Sequence, residues 1–78
     1  MQPPPELQIL LVVRKEEEFY TQNILESYDG MVLIAACQRL GEEVEMVLTS
    51  SSSFREELRK VLDGLVEEVG LQYQEVLA

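Results

Sequence analysis

MVLIAACQ (Met31–Gln38), a turn at Gly41-Glu42-Glu43, and then VEMVLT (Val44–Thr49) is the stretch whose reading decides the fold. The first run is apolar at odd and even positions alike, so it asks for a strand covered on both faces, or for one that needs a second cover from elsewhere. In the second, Val44, Met46 and Leu48 alternate with Glu45, Val47 and Thr49, the two-residue period of a strand. A glycine followed by two glutamates makes the turn, and the two strands are expected to pair as a hairpin.

Upstream, Leu7, Ile9, Leu11 and Val13 alternate with Gln8, Leu10, Val12 and Arg14. One face of this strand is wholly apolar and the other half apolar, the mark of a central strand. Glu16 to Glu18 then place negative charge where a helix N-terminus favours it. Tyr20, Ile24, Leu25 and Tyr28 follow on one side at helical spacing, with Thr21 between them, and Asp29-Gly30 ends the helix. Residues 1–6, with three consecutive prolines, read as a disordered leader to one domain spanning 7–78.

Downstream, Ser53 and Glu56 form an S-x-x-E capping box ahead of Phe54, Leu58, Val61, Leu62, Leu65, Val66 and Val69, the cleanest helical stripe in the chain. Gly64 interrupts the stripe and is read as close packing on the sheet. Gly70 stops the helix, and Leu71 to Leu77 are able to form a fourth strand, although Glu75 breaks the alternation and leaves that strand open. The order is strand, helix, strand, strand, helix and a final strand. No internal repeat is evident.

Fifteen acidic residues against six basic ones give 78 residues a net charge of -9. Such a chain repels nucleic acid phosphates and anionic lipid heads, so neither nucleic acid nor membrane is an expected partner. With no histidine, a histidine proton switch is excluded. One cysteine, Cys37, cannot close an internal disulfide, no apolar run reaches membrane-spanning length, and the start lacks a signal peptide's pattern. A cytoplasmic location is the expectation.

Ile24-Leu25-Glu26-Ser27-Tyr28-Asp29-Gly30, running into Met31-Val32-Leu33-Ile34, resembles the helix-to-strand junction of a family of short bacterial domains of unknown function that share an I-x-E-x-Y-[DE]-G pattern. The likeness spans roughly residues 8 to 70, with the specificity in the junction. It implies an ACT-like, ferredoxin-like fold: an α+β βαββα(β) sandwich whose antiparallel sheet carries two helices on one face. It implies no activity. Elementary chemistry accounts for much of the junction, with Gly30 at positive φ, Asp29 bonding the turning backbone and Tyr28 offering an amphipathic ring.

A catalytic constellation is not legible. Cys37 has no histidine to activate it and reads as a structural thiol in an apolar strand. The carboxylate runs at Glu16–Glu18, Glu42-Glu43-Glu45, Glu56-Glu57 and Glu67-Glu68 lack calcium-loop spacing and read as solvated faces. No phosphate cradle is present, since glycines 30, 41, 64 and 70 are isolated. The expectation is no enzyme, no metal and no cofactor. A weak candidate for a ligand loop gathers Arg14, Lys15, Tyr28 and Asp29, Arg14 and Lys15 being able to hold an anion.

Surplus apolar surface is the more positive clue. With both helices on one face, the other face of the sheet should alternate to polar residues. Instead Leu10, Val12 and Val47 point there, joined by one of two sets from the preceding strand, Met31, Leu33, Ala35 and Cys37 or Val32, Ile34 and Ala36. Leu10, Val12, Ile34 and Val47 are the expected interface, and a second copy is the simplest cover. The functional expectation is a non-catalytic interaction or regulatory module, homodimeric through its sheet. Its rival is an ACT-like sensor of a small metabolite. An unknown protein partner is a further possibility for the same surface.

Overall fold

Leu7, Ile9, Leu11 and Val13 sit at the bottom of the core and Gln8, Leu10 and Val12 on the opposite side of the same strand. This strand organises the rest of the molecule. The computed structural model describes residues 6–28 and 30–77. Strand β1 (Glu6–Arg14) leads through a short 3-10 turn to helix α1 (Glu18–Glu26), then β2 (Val32–Leu40), β3 (Glu43–Ser51), a second 3-10 turn, α2 (Arg55–Val69) and β4 (Gln72–Leu77). The leader expected at the N-terminus lies, from Met1 to Pro5, outside the described residues.

The sheet has the order β2-β3-β1-β4, with every neighbouring pair antiparallel. Four antiparallel strands with two helices make an α+β molecule, and the strand order is compatible with a ferredoxin-like arrangement. β1 is central, the hairpin of β2 and β3 forms, and the last segment does become a fourth strand. Both helices cover the face bearing Leu7 to Val13. Leu25 of α1 and Leu58, Leu62 and Leu65 of α2 join Val44, Met46 and Leu48 of β3 in one buried cluster. Gly70 closes α2 in the left-handed conformation, its N–H donating to the Val66 carbonyl at 3.1 Å.

Several expectations are corrected. β2 is not a strand covered twice but an edge strand, exposed from Ala35 to Leu40. Its apolar character on both faces has a geometric source. The pairing with β3 slips between Ile34 and Ala36, leaving Ala35 as an extra residue. Val32 and Ile34 therefore share the helix side with Ser50 and Leu48, whereas past the bulge Cys37 and Arg39 take that side opposite Met46 and Val44. Ile34 belongs with the core and not with the open face.

In α1 the buried line is Glu18, Thr21 and Leu25, spaced three and four apart, and Tyr20 and Tyr28 are exposed. Lys15 to Glu17 form the 3-10 turn, so α1 itself begins at Glu18. Tyr20 instead spans the two helices, its hydroxyl donating to Glu68 Oε2 at 2.7 Å. The capping box does not form: Phe54 caps α2 without a side-chain bond, and the Ser51 hydroxyl accepts from the Ser53 N–H at the preceding turn. Gly64 is exposed, and a Cβ there would meet nothing within 4 Å, so it marks no close approach.

Candidate functional site

The cross-strand pairing places residues on the open face in rows. One row runs Leu33, Thr49, Gln8; the next Ala36, Val47, Leu10, Gln74; the next Gln38, Glu45, Val12, Gln72; and the last Leu40, Glu43, Arg14. Leu10, Val12 and Val47 come together at the centre as expected, half-buried by their neighbours alone. Ile34 is absent from this face; Leu33, 66% exposed, and Ala36 occupy the β2 positions in its place.

Around that centre stand Gln8, Gln38, Gln72 and Gln74, four of the chain's six glutamines, together with Thr49. Among residues 7–76 the only charges on the face are Arg14, Glu43 and Glu45, all towards one end. A chain of net charge -9 thus keeps nearly all of its charge off this surface. An apolar centre bordered by amides, with its few charges gathered at one end, has the anatomy of a protein interface, depleted in charge at the core and able to donate and accept hydrogen bonds at its border. A shallow hollow of about 300 Å³ lies at its β4 side, lined by Leu10, Val12, Gln72, Tyr73 and Gln74.

The weak ligand-loop set is not assembled. Arg14 and Lys15 sit beside the β2–β3 turn, where the Lys15 N–H donates to the Glu42 carbonyl at 2.8 Å. Tyr28 lies at the other end of the sheet: its carbonyl accepts from Met31, whose own carbonyl accepts from the Ser50 hydroxyl, opposite Leu7. Asp29 lies outside the described residues. Glu26 is exposed.

One polar cluster was not legible in the sequence. Glu18, expected only to favour the helix N-terminus, is 7% exposed and its Oε1 accepts from Arg39 at 3.1 Å. The Cys37 thiol donates to Glu18 Oε2 at 3.8 Å. Cys37 is exposed rather than buried in an apolar strand. Partial burial, reinforced by the neighbouring Glu18 carboxylate, raises its pKa and disfavours the thiolate needed for nucleophilic chemistry. Nothing in a one-dimensional pattern signals a contact between residues 18, 37 and 39, because it depends on the bulge in β2.

A second polar seam fastens β4 to α2. Arg59 and Arg55 donate to the two carboxylate oxygens of Glu75, at 2.8 and 3.1 Å, and hold its pKa below the usual carboxylate value, Arg59 contributing most. This explains the break in alternation at Glu75, which lies on the helix side as an ion-pair partner. The Tyr73 hydroxyl donates to Asp63 Oδ1 at 2.6 Å; burial first and that hydrogen bond second push its pKa up to about 12.

Among the described residues no group of three or more His, Cys, Asp and Glu side chains is placed to hold a metal ion, and no helix is long and apolar enough to cross a membrane. No protein-family model matches the chain, and no curated protein matches it.

Proposed function

We propose that this chain is a non-catalytic interaction or regulatory module, on an ACT-like variant of the ferredoxin-like fold, that acts as a homodimer through the open face of its sheet. The observation that carries the reading is the partition of charge. Leu10, Val12, Val47 and Ala36 form an apolar centre within an amide rim, on a chain most of whose fifteen acids lie off that face. A surface of this kind left in water is costly, and burying it returns about 25 cal/mol per Å² of apolar area before association costs are subtracted. A like-charged copy is the partner for which a neutral face matters most, because it lets two acidic bodies meet where neither carries much charge. The absence of catalytic work is supported by a chain without histidine and a lone thiol held towards its protonated form.

Val12→Asp tests this reading. A carboxylate placed in a dry interface is expensive to desolvate, so the variant should elute as a monomer at concentrations where the wild type is dimeric. Glu67→Lys, on the exposed side of α2, should leave the dimer intact. Equal behaviour of the two variants contradicts the assignment of the face.

The hollow beside Gln72 and Gln74 favours a second reading, an ACT-like sensor that takes a small metabolite at the subunit interface. Its volume is at the lower end for ligand sites, and its amides are the polar groups that would orient a bound molecule. A thermal-shift screen against amino acids, nucleotides and divalent ions separates the two. A ligand at 100 times its Kd adds about 2.7 kcal/mol to stability, whereas a pure interaction module responds to none.

A further inference from the structure

We infer that two copies pack sheet against sheet about a two-fold axis parallel to the strands and midway between β1 and β3, so that Arg14 of each faces Glu43 of the other. The inference rests on the homodimer proposed above and specifies its geometry. β1 and β3 are the two inner strands, and the pairs Gln8–Thr49, Leu10–Val47, Val12–Glu45 and Arg14–Glu43 lie directly across from one another within one sheet. Rotation about such an axis lays β1 over β3 of the partner subunit without changing height along the strand. Each of those pairs is thereby repeated across the interface.

The matches are chemically sensible along most of that length. Leu10 covers Val47 of the partner subunit, and Gln8 meets Thr49 of the partner subunit, a donor and acceptor on each side. On the outer strands β2 lies over β4 of the partner subunit, setting Gln38 against Gln72 of the partner subunit and Ala36 against the aliphatic stem of Gln74 of the partner subunit. At the charged end, Arg14 finds Glu43 of the partner subunit. Arg14 is exposed and has no salt bridge among the described residues, whereas Arg39, Arg55 and Arg59 all do. Two places match poorly: Val12 meets Glu45 of the partner subunit, and Leu40, whose row has no β4 residue, is left without a cover.

An axis running across the strands is the competing arrangement. It would set the charged end over the far end of β1 and β3, the rows of Gln8 with Thr49 and of Glu6 with Ser51, so that Arg14 of one copy lies over the start of β1 and away from Glu43 of the other. Aligned sheets packed about 10 Å apart and rotated by about 30° keep the central rows in contact under the first arrangement. Strand spacing and row height give a face on the order of 450 Å² per copy, about 900 Å² in all before side-chain relief, just under what a stable specific interface needs, so the dimer is a weak, reversible one.

The test uses two full-length variants, Arg14→Glu and Glu43→Arg. Under this geometry each homodimer brings like charges together at both symmetric contacts and its Kd should rise about tenfold or more. Mixed in equal amounts, they should form a heterodimer of near wild-type affinity, since glutamate at 14 then meets arginine at 43 and arginine at 14 meets glutamate at 43. Net charge alone predicts otherwise: the two variants carry -11 and -7, each a two-charge change from -9, so the less charged one should prefer itself.

Sedimentation of the single variants and their mixture, with circular dichroism to check folding, reads the outcome. If either charge reversal unfolds the chain, Arg14→Gln and Glu43→Gln replace them, each expected to weaken the dimer about threefold. A wild-type dimer whose variant mixture associates no better than its components overturns the axis while sparing the homodimer. A monomeric wild type overturns both.

Discussion

Leu62→Ala should remove most of this protein's stability. Leu62 is 0% exposed and lies at the centre of the buried line Leu58, Leu62, Leu65 on α2, facing the β1 and β3 side chains in the single core cluster. The substitution deletes three carbon groups, at about 0.8 kcal/mol each in lost transfer energy, or about 2.4 kcal/mol. The cavity left behind adds to this, since a helix pinned at Leu58 and Leu65 cannot collapse fully onto the sheet, and a total of about 3–4 kcal/mol is expected. For a small domain with stability on the order of 5 kcal/mol that is a severe loss. In urea, with a slope of about 1 kcal/mol/M, the unfolding midpoint should fall by about 3 M. Val66→Ala, one turn along at a side chain 40% exposed, is the matched control and should cost about 1 kcal/mol or less. Both are compared with wild type at one protein concentration, because self-association contributes to apparent stability. Equal shifts for Leu62→Ala and Val66→Ala would refute the packing of α2.

Thr21 is fully buried, and its hydroxyl has no hydrogen-bond partner among the described residues, so the nearly isosteric Thr21→Val should raise stability by about 1 kcal/mol in the same assay. Tyr73, with a folded pKa of about 12 against an ordinary 10, keeps its proton in the folded state where the unfolded chain loses it; its contribution is intact below pH 10 and lost as pH rises through about 12. Phenolate absorbance should show a late limb to which Tyr20, raised by its hydrogen bond to Glu68, also contributes, and Tyr73→Phe should remove the Tyr73 part of that limb and its stability change. Glu75 has the opposite sign: its lowered pKa gives stability above the usual 4.5 that disappears as pH falls through the folded value, and Arg59→Ala should move its carboxyl titration, followed by NMR, back upwards.

The strand and helix order was legible because the alternation in β1 and β3 and the stripe in α2 are strong local patterns. Leu10, Val12 and Val47 were likewise assignable to one surface from alternation alone. The β2 assignment failed where alternation loses its meaning. A single extra residue at Ala35 exchanges the faces, so Ile34 packs into the core, Leu33 faces out, and Cys37 and Arg39 turn towards Glu18. The strand's position at the edge also depends on β1 pairing with β3, which no property of Met31–Cys37 encodes. Similarly, α1 turns Thr21 and Leu25 of the expected side into the core together with Glu18 and leaves Tyr20 and Tyr28 outside it, a rotation that spacing alone does not fix. The amide rim was invisible for a related reason, since Gln8, Gln38, Gln72 and Gln74 are scattered in sequence and meet only across three strands.

Self-association through the open face is the central claim, and sedimentation equilibrium of the wild-type chain tests it most directly. At about 100 µM a micromolar dimer is almost fully formed. The account predicts the mass of two chains there, falling towards that of one on dilution below the dissociation constant. The mass of a single chain at about 100 µM would contradict it.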